Sequence, residues 1–422
     1  MTTKDVILTI TLMLVAGLAA RLVADLLRVP HMLLLLAAGA VLGPSVSGAI
    51  EVPLDSMGAE LILTLGVSFI LFHGGMQLSV SVLSRVAIGL LLLAIPGVVL
   101  TAAVTGSVAA LAFGLPLTTG LLIGATLAPT DPAILIPLFE RLGVRPKVSQ
   151  TIIAESALND PTGAVLALAF AGVVLSGRAS LTDPMMSFLS DLALSTGLGF
   201  AFGIVLAAAI SSRRAGIWSE SAAIAVIAVV AGSFFSIDSA GGSGYLGAFL
   251  AGLIVANMGR LGLEMHVRHS EEVRVLVAVI ADVMVMLVFI TLGANLPWRA
   301  MADHLGPSLA VIAALIFVAR PLTVLACLLV DRRGRWTRSE MLFLAWTRET
   351  GVVPAAVAGI IVSMHVPHSE IVVTTVALAI VVTLAVQSTT KAWLARRLRL
   401  LHTDMETVEP PSGAAAQPVG AP

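Results

Sequence analysis

The chain has 422 residues, of which 58% are hydrophobic and 12% are charged, and its net charge is −1. Soluble domains carry about 25% charged residues, so a soluble protein of this composition would expose much apolar surface to water. The composition excludes an ordinary soluble protein, and the charge gives no sign of a nucleic-acid partner. The mean hydropathy of +1.02 predicts an all-α polytopic membrane protein. The one cysteine, Cys327, excludes an intrachain disulfide.

A run of roughly 17–25 apolar residues crosses a bilayer as a helix. We identify thirteen such runs and number them spans 1 to 13. They lie at about residues 5–27, 31–48, 57–77, 84–113, 115–139, 149–176, 185–211, 217–235, 240–258, 274–296, 307–330, 338–363 and 369–395. Span 1 is too long for the apolar part of a signal peptide, so we interpret it as a membrane helix. Residues 1–401 are predicted to form one transmembrane domain, followed by a disordered cytoplasmic tail at 402–422.

The basic residues predict the orientation, because loops rich in Lys and Arg stay in the cytoplasm. With residue 1 outside, only three of the 24 Lys and Arg residues fall in external loops, and Arg320 and Arg348 lie within spans. The other nineteen, Arg21 and Lys391 among them, are assigned to cytoplasmic loops. We therefore predict an external N-terminus and a cytoplasmic C-terminus, in the inner (plasma) membrane of a bacterium or an archaeon.

Few ionisable residues lie inside the predicted spans. Charged side chains at the centre of a bilayer cost several kcal/mol, so they persist mainly where they are paired or functional. Apart from residues near the span ends, the residues of this kind are His73, Asp131, Glu155, Asp160, Asp282, Arg320, Arg348 and Glu349.

Span 5 is predicted to be a broken helix. Residues 124–137 read GATLAPTDPAILIP, and the prolines at 129 and 132 each remove an intrahelical hydrogen bond. Asp131 lies between them, near the middle of the span. Broken backbone at that depth survives only where it is buried or lines a wet cavity. The alternative without a functional site is a proline kink in which the Asp131 side chain extends towards the membrane surface.

Span 12 contains a second predicted break, where residues 345–359 read AWTRETGVVPAAVAG. Pro354 disturbs the carbonyl of Thr350, and Gly351 loosens the turn. Spans 5 and 12 are seven spans apart, so they run in opposite directions. This pattern predicts two inverted six-helix repeats, at about 5–176 and 217–395, joined by a linker helix at about 185–211. Paired broken helices in such repeats indicate a transporter's binding site.

Residues 153–163 read IAESALNDPTG, a polar stretch inside span 6. On a helix Glu155 and Asn159 share one face, as do Ser156 and Asp160. These side chains offer oxygen ligands to a desolvated cation. A polar network that only joins helices is the alternative, and for Glu155 the two interpretations stay open.

No motif indicates an enzyme. GSGYLG at 242–247 has the letters of a dinucleotide fingerprint, but it follows no predicted strand, and small residues for close helix packing explain it better. Neither H-E-x-x-H nor G-x-S-x-G occurs.

Several stretches resemble the monovalent cation:proton antiporters, in the branch of NhaP-type and sodium/proton exchangers. They are A-P-T-D-P at 128–132, E-S-A-L-N-D-P at 155–161, G-Y-L-G-A-F-L-A-G at 244–252, A-R-P-L at 319–322 and W-x₄-G-V-V-P at 346–354. The resemblance covers about residues 5–395.

The resemblance implies a homodimer that exchanges Na⁺ (or Li⁺) for H⁺ by alternating access, serves pH homeostasis and needs no cofactor. It implies that Asp160 is the central carboxylate of the ion site. The other residues placed around the ion are Thr130, Asp131, Glu155, Ser156 and Asn159. Arg320 is expected to pair with Glu155, and Arg348 to give further ion-pair support.

The chain departs from the family pattern in three places. Thr350 stands where the second broken helix usually has an arginine, and Arg348 lies two residues earlier. His73 replaces a frequent acid, and Asp282 is outside the pattern. We keep His73, Asp282 and Glu349 as possible accessory proton carriers.

The expected mechanism follows from burial, which disfavours the charged form of an acid. A proton and a cation then compete for Asp160, and one titrating acid implies an electroneutral one-for-one exchange. Three alternatives remain: a K⁺/H⁺ antiporter that uses the same site, a cation channel, or a sodium-coupled symporter of the same architecture.

Overall fold

The computed structural model describes residues 3–27, 29–54, 56–131, 135–136, 139, 142–177, 182–212 and 216–401, with only the backbone at 182–189. The predicted tail at 402–422 lies outside the described residues, as does Pro132 of the first predicted break. The described chain is helical.

Eighteen α-helices are described, and we number them in chain order. They are α1 (Thr3–Leu27), α2 (His31–Leu42), α3 (Met57–Met76), α4 (Val80–Ala94), α5 (Pro96–Phe113), α6 (Leu117–Leu127), α7 (Pro146–Ser176), α8 (Thr182–Ala209), α9 (Ala222–Ser239), α10 (Gly244–Ala256), α11 (Val267–Ala294), α12 (Trp298–Asp303), α13 (Leu305–Ala314), α14 (Arg320–Leu328), α15 (Arg338–Trp346), α16 (Val352–Ser363), α17 (Ser369–Thr383) and α18 (Thr389–Arg397). A π-helical turn joins α13 to α14 at Leu315–Ala319, and another joins α17 to α18 at Leu384–Ser388.

Length and composition make this a polytopic helical membrane protein. Within the described part, nine helical stretches are long and apolar enough to cross a membrane, and four shorter helices are also apolar. The shorter ones are α2, α6, α10 and α16. Large apolar side chains on the outside of the molecule, such as Leu22 and Leu26 of α1, suit contact with lipid.

Both predicted breaks are confirmed. Helix α6 ends at Leu127, and Thr130 and Asp131 are not helical. Residues 347–351 separate α15 from α16. The predicted span at 84–113 is not one continuous helix. It begins earlier, at Val80, and the helix is interrupted at Ile95, just before Pro96. A proline inside a helix removes a hydrogen bond and clashes with the preceding turn.

The helices pack in two groups. Helices α1–α3 pack with α8–α11, while α4–α7 pack with α13–α18. Small residues allow close approach in the first group: a Cβ atom at Gly252 of α10 would overlap the backbone of Phe72 in α3. The glycines of GSGYLG likewise contact side chains of α9, which confirms their interpretation as packing residues.

Candidate cation site

The two breaks lie against each other and are joined by hydrogen bonds. The N–H of Asp131 donates to the carbonyl of Glu349 (3.0 Å), and the carboxylate of Asp131 accepts from the N–H of Val352 (2.9 Å). The carboxylate therefore lies at the N-terminus of α16, where the helix dipole favours a negative charge. Glycine is required at 351, because a Cβ atom there would overlap the Asp131 carboxylate.

We call the place where the two breaks meet the crossing, and Arg348 lies on its other side. Its Nη2 donates to the carbonyls of Leu127 (2.9 Å) and Ala128 (2.5 Å) at the end of α6. Carbonyls at a broken helix end have no intrahelical partner, and a guanidinium supplies donors and a positive charge that suits the C-terminal dipole. The hydrogen bonds of Arg348 go to backbone carbonyls, and its ion-pair support for the site stays a prediction.

Helix α7 fixes the first break through three hydrogen bonds to Thr130. The Thr130 N–H donates to Asn159 Oδ1 (3.1 Å), and Asn159 Nδ2 donates to Thr130 Oγ1 (2.8 Å). The hydroxyls of Thr130 and Ser156 are 2.7 Å apart. Because its amide oxygen and nitrogen both bind Thr130, Asn159 holds the break in place. Helix α7 continues through Pro161.

The predicted ion pair between Glu155 and Arg320 is confirmed. Both side chains are almost fully buried, and both oxygens of Glu155 accept from the guanidinium. Arg320 Nε also donates to the carbonyl of Leu344 in α15 (3.0 Å). The pair therefore joins α7 to the helix that precedes the second break. The charges of Glu155 and Arg320 therefore neutralise each other.

Asp160 differs from every other acid at the crossing. Its residue exposure is 3%, and neither carboxylate oxygen has a hydrogen-bond partner in the described part of the chain. It interacts electrostatically with Asp131 and with Tyr245 of α10. An ionised carboxylate without partners is costly when buried. The crossing thus contains one buried acid that still requires a positive charge.

Comparison with known proteins decides the family. The sequence profile described as "Sodium/hydrogen exchanger, transmembrane" matches residues 10–397. This chain belongs to that family. It is 28% identical over 396 residues to the K(+)/H(+) antiporter NhaP of Alkalimonas amylolytica, covering 93% of this chain and 67% of the relative. It is 30% identical over 364 residues to the Na(+)/H(+) antiporter 1 of Methanocaldococcus jannaschii, covering 82% and 81%.

The fold of the exchanger matches a solved structure. The structure of the sodium proton antiporter MjNhaP1 from Methanocaldococcus jannaschii at pH 8 superposes with a TM-score of 0.71 at 25% identity, over 93% of this chain and 99% of that chain. The resemblance to NhaP-type antiporters is confirmed. The chain is an integral membrane protein that exchanges a monovalent cation for protons, and it is a transporter rather than an enzyme.

Lys391 corrects one prediction. It belongs to α18, is fully buried and forms an ion pair with Glu349. It is therefore not a loop residue, although its position near the end of an apolar run suggested one. Glu349 also accepts from the Ser388 hydroxyl (2.9 Å), and its role as an accessory proton carrier stays a prediction. Sequence spacing gives no sign of this pair, because 42 residues separate its partners.

Asp282 has a basic partner that the sequence did not indicate. Arg21 lies within α1, and its Nη2 is 2.8 Å from Asp282 Oδ2 in α11. Its assignment to a loop is wrong, because it lies within a helix. The sequence gives no sign of this pair, because 261 residues separate the two partners. The pair is partly exposed. His73 of α3 interacts electrostatically with Asp282, and its Nε2 lies 3.5 Å from Gln77 Nε2. The accessory candidates His73 and Asp282 thus belong to a second charged cluster, together with Arg21.

Proposed function

We propose that Asp160 binds the transported cation and, in alternation, the transported proton. The observation that carries this proposal is its buried carboxylate, which accepts no hydrogen bond from the described residues. Such a group is stable only with a bound proton or a bound cation. Because a bound cation favours the ionised form, the two ligands compete, and movement of loaded states alone converts competition into antiport.

The proposed cation ligands are oxygen atoms of Thr130, Asp131, Glu155, Ser156 and Asp160. The short distance between the hydroxyls of Thr130 and Ser156 supports this set, since it brings two neutral oxygens together beside α7. Glu155 contributes least directly, because Arg320 engages both of its oxygens. Asn159 supports the site by holding Thr130 rather than by donating a ligand.

The charges at the crossing support an electroneutral exchange of one cation for one proton. Four buried acids face three buried bases among the described residues there. They are Asp131, Glu155, Asp160 and Glu349, and Arg320, Arg348 and Lys391. With all seven ionised, one further positive charge neutralises the cluster, and either a proton or a monovalent cation supplies it.

In proteoliposomes clamped with valinomycin and K⁺, an imposed potential should neither drive Na⁺ or Li⁺ uptake nor shift its end point. Potential-driven flux would contradict the one-for-one exchange.

We propose Na⁺, or Li⁺, as the cation, and K⁺ is the second candidate. The two relatives support both, since one is named a Na(+)/H(+) antiporter and the other a K(+)/H(+) antiporter. Flux in proteoliposomes under an imposed pH gradient tests the choice, with Na⁺, Li⁺ and K⁺ supplied in turn. Exchange of K⁺ but not of Na⁺ or Li⁺ would identify K⁺ as the transported cation. A wild-type protein that exchanges none of the three would overturn the proposed function.

The proposed architecture has thirteen membrane spans within residues 1–401, arranged as two inverted repeats at about 5–176 and 217–395 with a linker helix at about 185–211. The nine long and four short apolar helices of the described part support this count. Contact between the breaks of spans 5 and 12 supports the repeats. We also propose an external N-terminus, a cytoplasmic C-terminus, a homodimer and no cofactor. Alternating access is relative movement of the two helix groups.

A further inference from the structure

Helices α17 and α18 present polar side chains to the second break. Thr383, Gln387, Ser388 and Lys391 are all buried, although they lie in a predominantly apolar segment. Five hydrogen bonds join this segment to the residues at and before the break. They are Thr350 N–H to Thr383 Oγ1 (3.2 Å), Gln387 Nε2 to the Trp346 carbonyl (2.8 Å), Ser388 Oγ to Glu349 Oε1 (2.9 Å), Trp346 Nε1 to Thr390 Oγ1 (2.8 Å), and Lys391 Nζ to Glu349 Oε1.

The π-helical turn at Leu384–Ser388 contains two of these side chains, Gln387 and Ser388. Single π-helical turns inside α-helices occur frequently at functional sites. The other π-helical turn, Leu315–Ala319, directly precedes Arg320. The two irregular turns thus precede the two basic residues whose ion pairs flank the second break.

The pair of Lys391 and Glu349 is connected directly to the candidate cation site. Lys391 binds the side chain of Glu349, and the backbone carbonyl of Glu349 accepts the N–H of Asp131. The N–H of Val352, three residues further along the chain, binds the Asp131 carboxylate. A displacement of Glu349 therefore moves a hydrogen-bond partner of Asp131.

Stability alone does not explain the pair. Replacing a buried ion pair by well-packed apolar side chains is often neutral or stabilising, because the pair must recover the cost of removing two charges from water. Apolar side chains would, however, remove the polar contact that holds the Glu349 side chain against α18. The pair adds a directional link that apolar packing cannot supply.

We propose that Lys391 is a positioning residue for cation binding: through Glu349 it fixes the second break against Asp131. This inference rests on the proposed cation site at Asp160 and Asp131. Lys391 neither contacts the cation nor carries the transported proton. Its role is that of the outer partners of metal ligands, which orient the groups that bind the ion.

The test compares Lys391→Met, Lys391→Arg and the double variant Glu349→Gln/Lys391→Met with the wild type. Lys147→Met is the matched control, because Lys147 forms a part-buried pair with Glu340 of the same broken segment, at the far end of α15. Initial rates in proteoliposomes give the KM and Vmax for Na⁺ or Li⁺. Melting in detergent with and without the same cation reports binding without transport.

We expect Lys391→Met and the double variant to raise KM by roughly 10-fold to 100-fold, as loss of an outer partner does at metal sites, with a much smaller change in Vmax. Lys391→Arg and Lys147→Met should both have a KM close to that of the wild type. The double variant should fold, because it removes both charges of this pair and leaves neither of them buried without its partner.

Wild-type KM in a folded double variant would overturn the proposal. So would failure of all three variants to fold, because the pair would then be a stability element. If the wild type showed neither exchange nor cation-dependent stabilisation, the proposed function would fail instead, which separates the two outcomes.

Discussion

Two carboxylates of α7, five residues apart, lie in opposite environments. Glu155 binds the Arg320 guanidinium with both oxygens, whereas both oxygens of Asp160 lack a hydrogen-bond partner among the described residues. Both groups are buried to a similar degree. Burial therefore does not distinguish the paired acid from the acid that we propose to bind the ion and the proton in alternation. The presence of a fixed positive partner does, because only the acid without one must recruit a cation or a proton.

The largest expected effect comes from the unpaired acid. Asp160→Asn should reduce exchange to the background of empty liposomes, since an amide can neither release a proton nor neutralise a cation. The variant should still fold, and its melting temperature should equal or exceed that of the wild type, because it removes an unpaired buried charge. Near-normal proton-coupled flux would remove Asp160 from the mechanism.

The paired acid should show the opposite phenotype. Glu155→Ala and Arg320→Ala should each destabilise the protein by roughly 3–5 kcal/mol, because each leaves the other charge buried without its partner. Thermal melts in detergent measure this loss. The double variant should lose less than the two single losses combined. Strictly additive losses would mean that the two residues are not partners.

Asn159 should show an intermediate effect, because it supports the ion site at one remove. Asn159→Ala deletes two hydrogen bonds to Thr130 and should cost about 1–3 kcal/mol, since it leaves the buried Thr130 N–H unsatisfied. The KM for the cation should rise as the first break loosens. Asn159→Ser offers a comparison that keeps an oxygen near Thr130. An unchanged KM together with an unchanged melting temperature in Asn159→Ala would contradict this role.

The smallest effect is expected at the second charged cluster. Arg21 and Asp282 are 28% and 42% exposed, so their ion pair is worth about 1 kcal/mol or less if its surroundings screen it as water does. Asp282→Asn should retain exchange, and that exchange should stay insensitive to an imposed potential. A variant that loses exchange while it remains folded would assign Asp282 to the proton path and contradict the one-acid mechanism.

The sequence predicted the breaks, the crowding of polar residues in span 6 and the pairing of Glu155 with Arg320. Proline and glycine act locally, so their effect on a helix can be derived from the sequence itself. The pairing came from the family resemblance, since 165 residues separate the partners. The family resemblance also identified Asp160 as the central carboxylate, and the structure adds that neither of its oxygens has a hydrogen-bond partner among the described residues.

The errors concerned basic residues near the ends of apolar runs. Arg21 and Lys391 were assigned to loops because basic residues normally accumulate there, yet each lies within a helix and binds an acid of another helix. The sequence also did not indicate that Arg348 donates to two carbonyls at the broken end of α6. A π-helical turn has no sequence signature, so the polar surface of α17 and α18 was not predicted.

The central claim is that one proton and one cation compete for Asp160, and the dependence of KM on pH tests it most directly. Initial rates of Na⁺ or Li⁺ exchange should be measured in proteoliposomes over a pH series, with both faces held at the same pH before the cation is added. As pH falls and the proton occupies most sites, the apparent KM should rise by about tenfold per pH unit, because one proton must leave for one cation to bind. Saturating cation should restore binding. A KM that does not change with pH, or a loss of binding that saturating cation cannot restore, would contradict the account.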